Sequence, residues 1–290
     1  MRRDPDDVLA PREMGGAIPR FIHQTHRVER LPEDLSAIVT RVRETNPGWE
    51  HRFYDDARMT EYVTRHFGAQ VADYLARIDD HYLAAKVDLF RYLVVYREGG
   101  VYLDVKSVTE RPLDDVLRPD DVFLLAQWDN AAGSFSGFGV HPEVADVPGG
   151  EYQQWWLASA PGHPFLRAAI LRVMRNLDGY RVRRGAGVGR HGVLRTTGPL
   201  AYTSAIAPIV EEHPCRRLTD EREVGLVYSA LPGLTHARAD ARHYSRQWRP
   251  VVRVGGVGGL ANDITARAVK AYFVADWRVR DLLRRGRSSG

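Results

Sequence analysis

At 290 residues and 44% hydrophobic content the chain can bury a sizeable core, as one large α/β domain or two small ones, and one is expected. Its net charge of +4 is concentrated in Arg181, Arg183, Arg184 and Arg190 and in the C-terminal RVRDLLRRGRSSG; with no zinc-finger, RNP or helix-turn-helix pattern, nucleic acid is not an expected partner. No stretch approaches the roughly 20 apolar residues of a membrane span, MRRDPDDVLAPREMGG lacks the apolar core of a signal peptide, and the single Cys215 builds neither a disulfide framework nor a Cys-based zinc site, so a cytoplasmic location is expected.

In chain order, residues 1–17 are polar, charged and Gly/Pro-bearing and read as a disordered or loosely docked leader. A strand is predicted at 20–23. A helix opened by Pro32 carries Leu35, Ile38, Val39 and Val42 at helical spacing and closes at Asn46-Pro47-Gly48, and a second strand follows at 49–54. The stretch 81–97 reads as a helix with Leu83, Val87, Phe90 and Val94 on one face, ended by Gly99-Gly100. In the strand predicted at 101–105, alternation puts Val101, Leu103 and Val105 on one side and Tyr102, Asp104 and Lys106 on the other. Further strands are expected at 122–126 and 224–228 and helices at 164–176 and 200–210, whereas the glycines and arginines of 181–192 read as a mobile loop.

Asp88 and Arg91 stand three apart and project from the same side of a helix. The Gly-Gly turn returns the chain beside that helix, bringing Tyr102 and Asp104 near them at a strand end, where open α/β sheets bind ligands. Carboxylates accept hydrogen bonds from sugar hydroxyls, arginine neutralises phosphate, and an aromatic packs on a ring. On spacing alone, an ordinary Asp88–Arg91 ion pair on a solvated helix face, with Asp104 capping a strand, is an equal reading.

The run AAKVDLFRYLVVYREGGVYLDVKS closely resembles the sugar-binding, DXD-motif region of the family 32 glycosyltransferases and, more distantly, of the clostridial glucosylating toxins. IPRFIHQTH at 18–26, NPGWEHRFYDD at 46–56, PGHPFLRAAI at 161–170 and TGPLAYTSAI at 197–206 are similar to further family segments in the same order. The resemblance implies a GT-A-like α/β fold with a mixed central sheet flanked by helices, here placed over 18–260, and transfer of a sugar from a nucleoside diphosphate to a hydroxyl acceptor with retention of configuration; residues 261–290 themselves read as a basic amphipathic helix and tail. Carried over, Asp88 holds donor-sugar hydroxyls, Arg91 the sugar and diphosphate, Asp104 the ribose and sugar, Tyr102 shapes the nucleotide pocket, and Gln24 lies near the base. His243 and Trp248, in a segment loosely similar to one that folds over the diphosphate but spaced differently, are donor-side candidates with a structural role as the other reading, and Asp129 reads either as an acceptor-side residue or as part of an ordinary turn.

One residue departs from the family pattern. The second motif carboxylate, a metal ligand, is replaced by Lys106, whose ammonium repels Mn²⁺ or Mg²⁺ and offers the leaving diphosphate a charge of its own, so metal independence is favoured. The other reading keeps Lys106 in solvent and lets a displaced carboxylate join Asp104 at a metal. Two rival functions stand beside catalysis. One is a degenerate nucleotide- or sugar-binding protein. The other is a peripheral membrane scaffold at the inner face of the membrane, suggested by ITARAVKAYFVADWRVRDLLRRGR, where Val269, Tyr272, Phe273, Ala275 and Trp277 interleave with basic residues.

Overall fold

The structure, a computed structural model, describes residues 3–131, 133–185, 187–231 and 247–287, with side chains up to Tyr272. Strands β1 (Phe21–Thr25), β2 (Glu50–Tyr54), β3 (Gly100–Leu103), β5 (Phe123–Ala126), β6 (Trp156–Ser159) and β7 (Arg216–Leu218) form one sheet in the order β2-β1-β3-β6-β5-β7. The sheet is mixed: β1 is parallel to β2 and β3, β6 is antiparallel to β3 and β5, and β7 is parallel to β5. A separate antiparallel pair joins β4 (Val108–Thr109) to β8 (Leu226–Val227). This is the GT-A-type arrangement expected.

Alternation along the strands divides the core into two layers. Tyr102, Leu157, Phe123 and Leu125 face one layer with α3 (Asp56–Arg77), α4 (Leu83–Glu98) and α6 (Pro164–Asp178). Val101, Leu103, Ala158 and Leu124 face the other, with α2 (Glu33–Thr45) and α5 (Leu113–Val116). The amphipathic face expected for α4 is instead a helix buried nearly all round, from Ala85 to Tyr96, because β3 and β6 cover one side and α3 and α6 the others.

Three expectations are corrected. The leader is docked: α1 (Pro5–Val8) and the buried Leu9 pack on the α6 layer, Asp6 pairs with Arg167 and Arg175, and Gly15 N–H donates to the Pro161 carbonyl at 2.8 Å. The stretch read as a mobile loop contains the start of a helix, α7 (Gly189–Thr196), which precedes α8 (Pro199–Ile206). The C-terminal helix, α9, runs Gly256–Arg287, beginning ahead of the boundary expected at 261. A strap before it is clipped to the core by bridges of Val252 to Ile78 and Pro250 to Val188.

Candidate active site

The reversal between α4 and β3 makes the site. Gly99 and Gly100 take φ of 69° and 94°, and a Cβ on Gly100 would stand 2.6 Å from the Phe21 carbonyl oxygen. Only glycine lets the chain double back this close to β1. The return sets Tyr102 and Asp104 against Asp88 and Arg91, one turn apart on α4.

Arg91 joins the group. Its Nη2 lies 3.3 Å from both Asp88 Oδ1 and Asp104 Oδ1, its Nη1 donates to the Gln154 carbonyl at 2.5 Å, and its guanidinium sits 4.7 Å from the Tyr102 ring centroid. Asp88 also accepts from Thr197 Oγ1 at 2.8 Å and Gln154 Nε2 at 3.1 Å. The Tyr102 hydroxyl shares a 2.9 Å hydrogen bond with Thr25 and donates to Asp104 Oδ1 at 3.4 Å. Burial pushes the Asp88 carboxyl above its ordinary range, while Arg91 and the two donors pull it down. With the Arg91 and Asp88 side chains 5% and 4% exposed, a solvated surface pair is ruled out. Tyr102 is wholly buried beneath Arg91 and shapes the site from below rather than lining it.

This group opens onto a cleft of about 220 Å³, lined by Asp88, Arg91 and Asp104 together with Glu151, Trp128 and Tyr228. Lys106 lines it too. Its ammonium rests 3.8 Å from the Tyr228 ring centroid, a cation–π contact that holds it in the cleft rather than in solvent. The motif strand is pinned from the same direction, since Ser107 Oγ donates to the Tyr228 carbonyl and Ala230 N–H to that of Lys106, both at 2.8 Å.

Asp104 is ion-paired with Arg91 at 3.3 Å, and Lys106 brings a second positive charge into the same cleft.

Several cleft residues escaped the sequence reading. Glu151 Oε1 accepts from Trp128 Nε1 at 3.1 Å, and Oε2, 3.4 Å from His141 Nε2, is buried without a hydrogen-bond partner. Burial pushes its carboxyl up to about 7, opposed by the Trp128 hydrogen bond and the Arg190 charge. Arg190, counted in the sequence only as basic excess, is carried to the cleft by α7, and Gln154 and Thr197 hold Asp88. The buried run EYQQWW offered one signal, a carboxylate and two amides in otherwise aromatic company.

Other candidates lie elsewhere. Gln24 points to the opposite sheet face from Tyr102, and its Oε1 accepts from His51 Nε2 at 2.8 Å. Asp129 accepts from Arg222 at 2.6 Å and does not line the cleft; its neighbour Trp128 does. Trp248 lines a different cleft, beside α9. His243 lies outside the described residues.

Residues 32–124, which span α2 to β5 and contain the Asp88–Asp104 group, match the family described as glycosyltransferase sugar-binding region containing DXD motif. This region of the chain is similar to that family. The chain is 30% identical over 168 residues to inositol phosphoceramide mannosyltransferase 1 of Schizosaccharomyces pombe, covering 57% of this chain and 45% of that protein. It is 25% identical over 213 residues to an initiation-specific alpha-1,6-mannosyltransferase of Candida albicans, covering 68% and 54%. The chain thus spans about half the length of these curated relatives. Among solved structures, the UDP-bound glycosyltransferase domain from the YGT toxin superposes with a TM-score of 0.50 at 10% identity over 74% of this chain and 82% of that domain, a likeness of fold. In this matched region the DXD-like run reads Asp104-Val105-Lys106.

Proposed function

We propose that the chain is a retaining glycosyltransferase that moves a hexosyl unit from a nucleoside diphosphate, UDP or GDP, to a hydroxyl acceptor without a divalent metal. The observation that carries this is the Asp88–Arg91–Asp104 group opening onto a cleft that Lys106, Arg190 and Glu151 also line. The carboxylates of Asp88 and Asp104 accept from sugar and ribose hydroxyls, and Arg91, ion-paired with both, fixes them in place. Lys106 and Arg190 are the cations left to meet the diphosphate, whose charge grows as the bond from the anomeric carbon to its oxygen breaks. The acceptor oxygen bonds to the same carbon from the same face, and its proton passes to the departing diphosphate oxygen. Glu151, in place of Asp129, receives the acceptor hydroxyl.

The names of the fungal relatives favour mannose as the sugar, and the UDP bound to the toxin domain favours a uridine pocket. A panel of UDP-, GDP- and dTDP-hexoses, assayed for release of nucleoside diphosphate with and without EDTA, tests the reading. Slow hydrolysis of one donor that survives chelation is expected. Tight nucleotide binding by calorimetry with no turnover would instead identify a degenerate sugar-nucleotide-binding protein.

A further inference from the structure

Eight large hydrophobic side chains are strongly exposed among the described residues, and four of them belong to α9. Val257, Leu260 and Ile264 are 85%, 62% and 59% exposed. At about 100° per residue, these three and the exposed Ala268 fall in one stripe roughly 80° wide. The opposite face is the docked one. Asn262 and Ala266 are each 2% exposed, Asn262 Oδ1 accepts from Val182 N–H at 3.0 Å, and Val269 packs on the core. The stripe therefore differs from the one expected in the sequence: Val269 faces inward, and the side chains of Phe273, Ala275 and Trp277 lie outside those described.

Beside the stripe, on the Leu260 flank, α9 presents Arg267 and Lys270, with the exposed Asp263 between them. With Arg249 and Arg253 of the strap they line a cleft of about 690 Å³. Arg253 is paired with Asp79 and Asp80, whereas Arg267 and Lys270 have no carboxylate partner among the described residues. Asn262 Nδ2, buried and without a hydrogen-bond partner, lines the same cleft. No helix among the described residues is long and apolar enough to cross a membrane, so an apolar stripe with a basic flank on a helix docked by its other face has the geometry of a helix lying in an interface.

We propose that α9 rests on an anionic lipid surface, with Val257, Leu260 and Ile264 inserted at the acyl boundary and Arg267 and Lys270 meeting lipid phosphates. Charge complementarity selects this occupant: a second copy would bring the same unpaired cations face to face across a twofold axis. The cleft at Asp104 and the face of α9 are separate parts of the molecule, so the proposal stands or falls independently of sugar transfer.

The test is co-sedimentation of the full chain with vesicles of phosphatidylcholine alone and with about a third phosphatidylglycerol, at low and high salt. Wild type should partition at least tenfold more strongly into the anionic vesicles and lose most of that preference at high salt, each basic residue at the surface being worth roughly fivefold. Arg267→Glu with Lys270→Glu should abolish the anionic preference, and Leu260→Asp with Ile264→Asp should reduce binding to both vesicles by at least tenfold. Unchanged melting in both double variants shows that the fold survives. Wild type left in the supernatant, or an aspartate variant that sediments like wild type, overturns the proposal. So does a concentration-dependent dimer in sedimentation velocity that the aspartate variant abolishes while vesicles bind nothing.

Discussion

Glu151 is a buried carboxyl whose proton affinity exceeds that of an unfolded glutamate, rising from 4.5 to about 7 under the burden of desolvation. The folded state therefore binds its proton more tightly than the unfolded state. The stability this contributes is complete below pH 4.5 and is lost as pH climbs through about 7. Trp128, His141 and Arg190 are the polar and charged groups facing it, and none completes a hydrogen bond to Oε2. Glu151→Gln, which cannot ionise, should match wild type in urea melts at pH 4.5 and exceed it by about 1–3 kcal/mol at pH 8.5, since each tenfold difference in proton affinity between the folded and unfolded states is worth about 1.36 kcal/mol. Equal stability of the two proteins at pH 8.5 would mean that Glu151 ionises freely in the cleft. The same variant should weaken transfer to an acceptor more than hydrolysis of the donor, since it changes only the acceptor side.

Lys106 makes the second residue-scale prediction. Lys106→Ala removes a cation facing the diphosphate and should lower turnover by about 10²–10³-fold, the usual effect of losing one electrostatic contact in a transition state. Lys106→Asp creates a second carboxylate beside Asp104, and its activity should be raised by Mn²⁺ or Mg²⁺ more than the parent's. Parent activity that disappears in EDTA and returns with Mn²⁺ would show that another carboxylate brings a metal to Asp104.

At the scale of elements, α4, the glycine pair and β3 were legible because their signals are local: a helix stop, two glycines and an alternating strand lie within one stretch of sequence. The other half of the cleft was not. Glu151, Gln154 and Tyr228 reach Asp104 through β6 and β8, whose pairings are set by residues far apart in the chain. β6 is buried on both faces and reads Trp-Leu-Ala-Ser, without the alternation that marks a half-exposed strand. The helix α3 breaks its period at Gly68, where φ is 79°, and no element was expected there. Asp129 illustrates the reverse error, a turn-like acidic residue whose charge is taken up by Arg222. The glycine reversal carries its own prediction. At Gly100 an alanine meets both the left-handed φ and the Phe21 backbone, which cannot yield as a side chain tip can. Gly100→Ala should cost about 2–3 kcal/mol or more in chemical denaturation and reduce turnover beyond its effect on folding, because β3 carries Asp104. A variant with wild-type stability would show that β1 and β3 can part without loss.

For the whole molecule, the first residues show how a polar, proline-bearing segment becomes part of the fold. Only Leu9 of α1 and its surroundings is a large buried side chain, and it joins the core layer of α4 and α6 at 2% exposure. The ion pairs of Asp6 with Arg167 and Arg175 are largely exposed and contribute little, about 0–1 kcal/mol. The attachment therefore rests on Leu9, with Pro5 and Val8 packed beside it, and on hydrogen bonds such as that from Gly15 to Pro161. Leu9→Ala should remove about 2–4 kcal/mol, which for a chain of this size lowers the melting temperature by roughly 5–10 °C. Asp6→Ala should shift it by no more than about 2 °C. The pair of variants separates a packed segment from one held by charge. If Leu9→Ala melts with the parent while Asp6→Ala falls, electrostatics holds the leader and the apolar contact is incidental; if neither moves, residues 5–16 are as loosely docked as their composition suggests.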